Sequence, residues 1–168
     1  MELTGDIPFC QIRIDKEGVW YYKGAEMFRK EIVNFFYQNL RRDDSGNYLI
    51  ELENDRCYLE VEDTAFVVRS VRQALSEKDG ARVFFLLLSD DTIDLLDPAT
   101  LWVGKDNVMY CSVKENRFEA RFLRPAYYQL AGEIEYDENQ DRYFMPFNGE
   151  RHYLKDENHR QSRHQREA

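Results

Sequence analysis

Residues 5–24, GDIPFCQIRIDKEGVWYYKG, decide the fold of the N-terminal half of this chain. Apolar and polar side chains alternate on both sides of a polar segment that ends in glycine, and this pattern predicts a β-hairpin. With the turn at residues 15–18, Ile14 faces Val19 across the hairpin and both side chains lie on a core face. Trp20, the next residue along the second strand, then lies on the opposite face.

In this register Arg13 lies directly across from Trp20 on the second face of the hairpin. Two interpretations of this pair stay open. One is a surface cation–π contact that covers the outside of the sheet, worth about 0.5–1 kcal/mol when it is exposed. The other is an aromatic surface with a guanidinium group, which suits a planar or anionic small molecule.

The sequence predicts one main helix and several further hairpins. In residues 25–40, apolar side chains recur at steps of three and four, as on the buried face of an amphipathic helix. Residues 48–61 and 109–122 each contain two alternating segments around a polar turn, and a last hairpin pairs Tyr136 with Tyr143. The predicted fold class is α+β: two compact β-rich halves of rolled antiparallel sheet, with the main helix at about residues 25–40.

A polar, glycine-ended connection at residues 74–81 is the expected boundary between the two halves. We expect an N-terminal hairpin–helix–β domain over residues 1–77 and a C-terminal β-rich domain over residues 78–154. Residues 155–168 contain no apolar side chain larger than alanine, which is typical of a disordered, solvated tail. No internal repeat is evident.

Composition argues against several classes of partner. The 168 residues carry a net charge of −9 with a pI near 4.9, and no basic stripe of the kind that neutralises phosphates is present. We therefore expect neither nucleic acid nor a membrane as a partner. The longest apolar run, residues 83–88, is far shorter than the roughly 20 residues of a membrane span. The first residues lack the pattern of a secretory signal, so a cytoplasmic location is expected.

The cysteines predict neither a disulfide framework nor a metal site. Cys10, Cys57 and Cys111 form an odd, widely spaced set, and the three histidines all lie near the C-terminus. In the predicted registers Cys57 lies opposite Leu52, and both Cys57 and Cys111 turn toward the core, where a thiol acts as a small hydrophobe. No metal and no cofactor is expected.

The sequence contains no nucleophile elbow, phosphate-binding loop or metalloprotease helix. The carboxylate candidates for catalysis are Asp63 in the acidic pair 62–63 and Asp91 in the acidic pair 90–91. Adjacent acids can share a proton or hold a cation. Both pairs also lie where strands end, which is the usual place of aspartate in turns. The lack of catalytic spacing favours a protein that is not an enzyme.

Three arginines are candidates for binding an anion: Arg13, Arg29 and Arg124. Arg29 lies early in the predicted helix, where the helix dipole disfavours a cation, so that it faces either an anion or solvent. Arg124 precedes Pro125, which suits the first turn of a short second helix. Tyr127, in the same segment, is either a core residue or aromatic support for a site.

Several short motifs follow one another along the chain. They are RIDKEGVWYYKG, LRRD, VEDTAF and RPAYY, which begin at Arg13, Leu40, Val61 and Arg124. Over residues 5–147, the order and spacing of these motifs resemble the pattern of the bacterial domain-of-unknown-function 1285 family. The resemblance implies a compact two-part protein in which each part is a small rolled sheet with a helix. It implies no established activity, although a role in ligand-triggered signalling has been suggested for the family.

Three functional hypotheses stay open. The first is a non-catalytic module for ligand binding or signalling, whose site lies between the two halves and takes a small anionic or planar molecule. The residues of that site would be Arg13, Trp20, Arg29, Asp63, Arg124 and Tyr127. The second is a protein–protein interaction or structural module, with an exposed apolar patch and a partner or a homo-oligomer. The third is an enzyme that uses Asp63 or Asp91 as a general base or cation ligand.

Overall fold

The computed structural model describes residues 6–156. The chain divides into two compact units, the first ending at Asp63 and the second beginning at Thr64. The disordered tail that we expect from the sequence lies outside the described residues from residue 157 onward. Within the described part of the chain, no helix is long and apolar enough to cross a membrane.

Over residues 6–63, the first unit is a six-stranded mixed sheet with one helix. Its elements in chain order are β1 (Phe9–Ile14), β2 (Trp20–Tyr22), β3 (Ala25–Glu26), α1 (Lys30–Gln38), β4 (Leu40–Arg42), β5 (Tyr48–Leu52) and β6 (Asp55–Val61). The strand order is β3-β2-β1-β6-β5-β4. All neighbours are antiparallel except β1 and β6, which form a parallel pair at the centre of the sheet.

The register of the first hairpin differs by one residue from the predicted register. Arg13 pairs with Tyr21 and not with Trp20. Val19 belongs to the turn, because its backbone N–H donates a hydrogen bond to Oδ1 of Asp15. A shift of one residue moves every side chain to the other face of a strand. Trp20 therefore lies in the core, where it is 2% exposed.

Helix α1 is shorter than the predicted helix and begins later, at residue 30 instead of residue 25. Lys23 and Gly24 have positive φ angles of 50° and 83°, which form a two-residue turn of the kind that hairpins favour. This turn directs Ala25 and Glu26 into β3, beside β2. Phe28 fits the helical stripe although it precedes the helix, so periodicity alone places the start of α1 too early.

The second hairpin, formed by β5 and β6, retains its predicted face but not its predicted register. Leu52 pairs with Asp55, and Ile50 pairs with Cys57. The partner of Cys57 is thus displaced by two residues from the expected one. Because side chains alternate with a period of two, a shift of two residues leaves each side chain on the same face.

Over residues 64–156, the second unit contains another six-stranded sheet, a three-stranded sheet, one α-helix and two short 3-10 helices, Pro98–Thr100 and Lys105–Asn107. Its elements are β7 (Phe66–Leu75), β8 (Arg82–Leu88), β9 (Ile93–Leu95), β10 (Trp102–Val103), β11 (Met109–Val113), β12 (Phe118–Phe122), α2 (Arg124–Ala131), β13 (Glu135–Asp137), β14 (Arg142–Phe147) and β15 (Glu150–Tyr153). The sheet orders are β10-β11-β12-β7-β8-β9 and β13-β14-β15. The predicted pairing of Tyr136 with Tyr143 is confirmed.

The two six-stranded sheets have the same topology. In each sheet, the first three strands in sequence lie on one side of the centre and the last three lie on the other. The first and sixth strands in sequence meet at the centre as the parallel pair. The predicted α+β class with two β-rich halves is confirmed. The parallel pairs were not predicted, because they join strands that are distant in sequence and follow from no local hairpin.

Residues 77 and 78, between which we expect the domain boundary, lie within the second unit. They lie between β7 and β8, and these two strands pair with each other over most of their length. The polar, glycine-ended segment is therefore the turn of a hairpin. Lys155, the first residue of the expected tail, forms a β-bridge with Trp102.

Candidate functional site

A cavity of about 590 Å³ opens in the first unit between α1 and the sheet, and we call it the α1 cavity. The sheet lines it with Cys10, Ile12, Ile50, Leu52, Asp55, Arg56 and Cys57. The end of β2, the segment before α1 and the helix itself line it with Tyr22, Met27, Phe28, Arg29, Ile32 and Phe36. Most of these side chains are apolar, and the charged ones come from only three positions.

Two sequence patterns bring apolar side chains to the α1 cavity. Ile50 pairs with Cys57 across β5 and β6, so both side chains point to the same face of the sheet. Ile32 and Phe36 are four residues apart on α1 and share one face of the helix. Ile50 is 2% exposed, whereas Ile32 is 36% exposed. The cavity therefore has a buried apolar base and an open apolar mouth.

A disulfide between Cys10 and Cys57 lines the cavity, with the two Cα atoms 5.1 Å apart. The prediction that the cysteines form no disulfide is wrong. β1 runs parallel to β6, and the pairing of Phe9 with Tyr58 brings together two cysteines that are 47 residues apart. Spacing alone does not reveal such a pair, because the strand pairing is non-local. Cys111 is the buried free thiol that we expected, and burial raises the pKa of this thiol.

The strand pairing is irregular beside the disulfide. β1 and β6 lose their register between Phe9 and Arg13. Gln11, within this interval, has a φ angle of 64°, a conformation in which the Cβ atom of a non-glycine residue is crowded by the backbone. The carbonyl of Gln11 accepts a hydrogen bond of 2.9 Å from the backbone N–H of Lys23. The segment that carries Cys10 is therefore held partly by contacts outside the regular ladder.

Charged groups line the mouth of the cavity. Arg29 donates a hydrogen bond to Glu31 at 3.2 Å. A hydrogen bond from the backbone N–H of Glu31 and the one from Arg29 lower the pKa of the Glu31 carboxyl. Asp55 accepts a hydrogen bond from the backbone N–H of Arg56 at 2.9 Å. The exposed Arg56 guanidinium forms no ion pair with any residue in the range 6–156, so it is available to an anion.

The Arg13–Trp20 pair that we predicted is not formed. The guanidinium carbon of Arg13 lies 4.4 Å from the ring centroid of Tyr21. A guanidinium nitrogen of Arg13 lies 3.9 Å from the carboxylate of Glu62. Trp20 packs in the core on the ring of Phe36. Neither Arg13 nor Trp20 lines the α1 cavity.

Of the six residues predicted for a ligand site, Arg29 alone lines the α1 cavity in the described part of the chain. Asp63 is a half-buried residue at the end of the first unit. Arg124 is the exposed first residue of α2, and Tyr127 lies half-buried on the same helix in the second unit. A site that combines residues of both halves stays a prediction.

The acidic pair at residues 90–91 lies in a turn, and both carboxylates form ion pairs. Asp91 has a positive φ of 67° and an ion pair with Arg69 at 3.0 Å. Asp90 accepts a hydrogen bond from Nζ of Lys114 at 2.7 Å. Across residues 6–156, no group of three or more histidine, cysteine or acidic side chains is placed to hold a metal ion.

The apolar residues that line the cavity are not identified as site residues by the sequence pattern. Alternation predicts that Ile50, Leu52 and Cys57 share an apolar face and that this face belongs to the core. The signal that could have found the site is the excess of apolar side chains near α1. Phe28 is 79% exposed although it continues the helical stripe, so the core does not cover the whole stripe.

Comparison with known proteins finds a family model that matches the first unit. The model of the N-terminal domain of DUF1285, a domain of unknown function, matches residues 2–64. This range coincides with the first unit, which ends at Asp63. The first unit is therefore similar to the DUF1285 N-terminal domain. The resemblance that the sequence motifs indicated is thereby confirmed, and the α1 cavity lies within the residues that the DUF1285 model matches.

Two solved structures have a similar fold. The crystal structure of a DUF1285 family protein from Silicibacter pomeroyi DSS-3 is 18% identical, with a TM-score of 0.72 over 93% of this chain and 87% of that one. The crystal structure of a DUF1285 family protein from Shewanella baltica OS155 is also 18% identical, with a TM-score of 0.60 over 74% of this chain and 92% of that one. At this identity the likeness shows the fold alone. No curated protein matches the chain.

Proposed function

We propose that the first unit, which matches the DUF1285 N-terminal model, binds a small amphiphilic carboxylic acid in the α1 cavity. The observation that carries the proposal is a preformed, mostly apolar cavity of about 590 Å³. This volume is within the range of roughly 300–1,000 Å³ that is typical of small-molecule sites. The bound molecule would act as a signal and not as a substrate, in keeping with the signalling role that the family resemblance suggests.

The apolar part of the ligand would lie between α1 and the sheet. Ile12 and Ile50 are buried at the base of the cavity, and Phe28 and Ile32 are exposed at its mouth. Removing apolar surface from water contributes about 25 cal/mol per Å². A ligand that covers Phe28 and Ile32 therefore gains affinity from their burial as well as from its own.

The carboxylate of the ligand would bind Arg56. A guanidinium group presents two parallel N–H donors that match the two oxygens of a carboxylate. Arg29 contributes less, because it already donates to Glu31. Asp55 adds a negative charge at the same mouth and repels anions. The single available guanidinium and the nearby carboxylate together favour a monoanion over a polyanion such as a phosphate.

A second candidate function is a protein–protein interaction module, and apolar side chains outside the cavity favour it. Phe9 is 72% exposed and Phe35 is 50% exposed, and neither lines the α1 cavity. A partner protein or a second copy of the chain would cover such side chains. Light scattering after size exclusion separates the two functions. A ligand-independent oligomer that Phe35→Glu dissociates would support the interaction module.

Isothermal titration calorimetry with decanoate tests ligand binding, and decanol serves as a probe with the same chain and no carboxylate. We expect one-site binding of decanoate and weaker binding of decanol. Ile32→Glu places a negative charge at the mouth of the cavity and should abolish decanoate binding. Phe35→Glu places the same group on the same helix outside the cavity and should leave binding intact. Absence of binding to the unmodified protein, or equal loss in both variants, would contradict the proposal.

A further inference from the structure

We infer that the Cys10–Cys57 disulfide controls ligand binding in the α1 cavity: the disulfide form binds the carboxylic acid, and the dithiol form binds it more weakly. The inference rests on the proposed function, because it concerns the same cavity. It adds a regulatory input that the apolar lining and the arginines do not provide.

The disulfide is placed where a reductant can reach it and where its loss changes the cavity. Both cysteines line the cavity, and both are half-buried and not enclosed in the core. Cys111, the third cysteine, is fully buried in the second unit and forms no disulfide. Thiol–disulfide exchange therefore acts on the cavity-lining pair and leaves the core of the second unit unchanged.

The disulfide links β1 to β6 at the point where their pairing is interrupted. The register is lost between Phe9 and Arg13, so the regular ladder does not hold this part of β1 against β6. The covalent bond from Cys10 to Cys57 spans the interruption. Ile12, the next cavity-lining residue of β1, depends on the same segment for its position.

The backbone beside Cys10 is in an unfavourable conformation that the disulfide helps to hold. Gln11 has a φ of 64°, and its carbonyl accepts a hydrogen bond from the backbone N–H of Lys23, in the turn after β2. Once the disulfide is reduced, Gln11 can relax toward the extended region, which rotates Cys10 and Ile12 relative to β6. A less ordered cavity then binds more weakly, because the entropy lost on ordering it opposes binding.

The redox step needs a dithiol reductant and involves no atom of the ligand. A thiolate of the dithiol attacks one sulfur of the disulfide, forms a mixed disulfide and releases the other sulfur as a thiolate. The second thiol of the reductant then attacks the mixed disulfide. Two electrons and two protons pass to the protein, which gives the thiols of Cys10 and Cys57 and a disulfide in the reductant.

Calorimetry with decanoate tests the inference on the full chain in its oxidised form, in its form reduced by dithiothreitol, and after reoxidation. We expect the Kd for decanoate to rise at least about fivefold on reduction, the lower end of typical coupling between two events on one protein. Reoxidation should restore the affinity. Cys111→Ala should respond as the unmodified protein does, whereas the double variant Cys10→Ser, Cys57→Ser should bind weakly with or without dithiothreitol.

The reciprocal measurement keeps the test independent of any variant. Because linkage is symmetric, bound decanoate must stabilise the disulfide against reduction by the same factor. The fraction of disulfide in mixtures of reduced and oxidised dithiothreitol, trapped by alkylation and measured by mass spectrometry, should rise with decanoate. Equal Kd values in both redox forms, with no shift in this equilibrium, would overturn redox control but leave the proposed function intact. Failure of the oxidised protein to bind decanoate would overturn both.

Discussion

Trp20 stacks on Phe36, with ring centroids 6.2 Å apart and ring planes inclined by 16°. Phe36 lines the α1 cavity, whereas Trp20 does not. The predicted register places Trp20 on the second face of the hairpin. In the structure Trp20 is instead a core residue, and it contacts the lining of the cavity. This contact makes Trp20 a reporter of what the cavity binds.

The first prediction concerns the fluorescence of Trp20. The chain has two tryptophans, so Trp102→Phe leaves Trp20 as the single one. Decanoate should change the emission of this variant, because the ligand contacts Phe36 and alters the surroundings of the stacked indole. The change should saturate with the Kd measured by calorimetry. Trp20→Phe, which retains Trp102 in the second unit, is the control and should show no change. An equal response in this control would contradict the placement of the ligand.

The second prediction concerns the guanidinium that binds the carboxylate. Arg56→Gln should weaken decanoate binding roughly tenfold or more, because a hydrogen-bonded charged partner is lost. Binding of decanol should change little, because decanol has no negative charge. Arg72→Gln, at an exposed arginine on β7 of the second unit, is a matched control and should bind both probes as the unmodified protein does. Calorimetry with both probes measures the difference. Equal weakening for the acid and the alcohol would show that Arg56 does not recognise the carboxylate.

The sequence predicted the local elements of this fold better than their partners. The face that carries Ile50, Leu52 and Cys57 follows from alternation alone, and alternation is preserved when the register shifts by two residues. The first hairpin shows the opposite case. There a one-residue error at the turn moved Trp20 from the core to the surface. Hydrogen bonds from the backbone to Asp15 determine the geometry of this turn, and alternation of side chains does not predict them.

The disulfide and the cavity could not be predicted, because both depend on long-range pairing. Cys10 and Cys57 are adjacent only because β1 lies parallel to β6 at the centre of the sheet. Local periodicity contains no signal for such a pair. Arg29 was identified as a candidate from its unfavourable place near the start of a helix, and it does line the cavity. Arg56 is not a candidate from the sequence, because it is one of several charged residues in a predicted turn.

The third prediction concerns stability in reducing conditions. The disulfide joins residues that are 47 apart, and closing a loop of this length stabilises the folded state by about 4 kcal/mol in the chain-entropy model. A reductant should therefore lower the free energy of unfolding of the first unit by this order. Denaturant unfolding followed by the fluorescence of Trp20, in the Trp102→Phe variant, measures the change. The double variant Cys10→Ser, Cys57→Ser is the control, because a reductant should have no further effect on it.

The fourth prediction concerns acid stability of the three-stranded sheet. The Tyr153 hydroxyl donates a hydrogen bond of 2.6 Å to the carboxylate of Asp137, and this bond is the main cause that lowers the pKa of the Asp137 carboxyl. A carboxyl whose pKa is lower in the folded state stabilises the fold above its unfolded pKa. That stabilisation is lost as the pH falls through the folded value, so stability should decline below about pH 5.

Tyr153→Phe tests this pH dependence. It removes the hydrogen bond to Asp137, so the melting temperature should fall less steeply between about pH 5 and pH 3 than in the unmodified protein. Tyr143→Phe removes a hydroxyl from a neighbouring strand, where Tyr143 is 59% exposed, and should leave the pH profile unchanged. Calorimetric melting at each pH gives both profiles. Parallel profiles for all three proteins would show that the hydrogen bond does not set the pKa of Asp137.

The most direct test of the account is to locate bound decanoate by NMR in the oxidised protein with labelled methyl groups. We predict intermolecular NOEs from the ligand chain to the methyl groups of Ile12, Ile32 and Ile50, which line the α1 cavity. Ile93 and Leu95 offer exposed methyl groups on β9 of the second unit, and these should show none. NOEs confined to Ile93 and Leu95, with none in the cavity, would contradict the central claim that the first unit binds its ligand between α1 and the sheet.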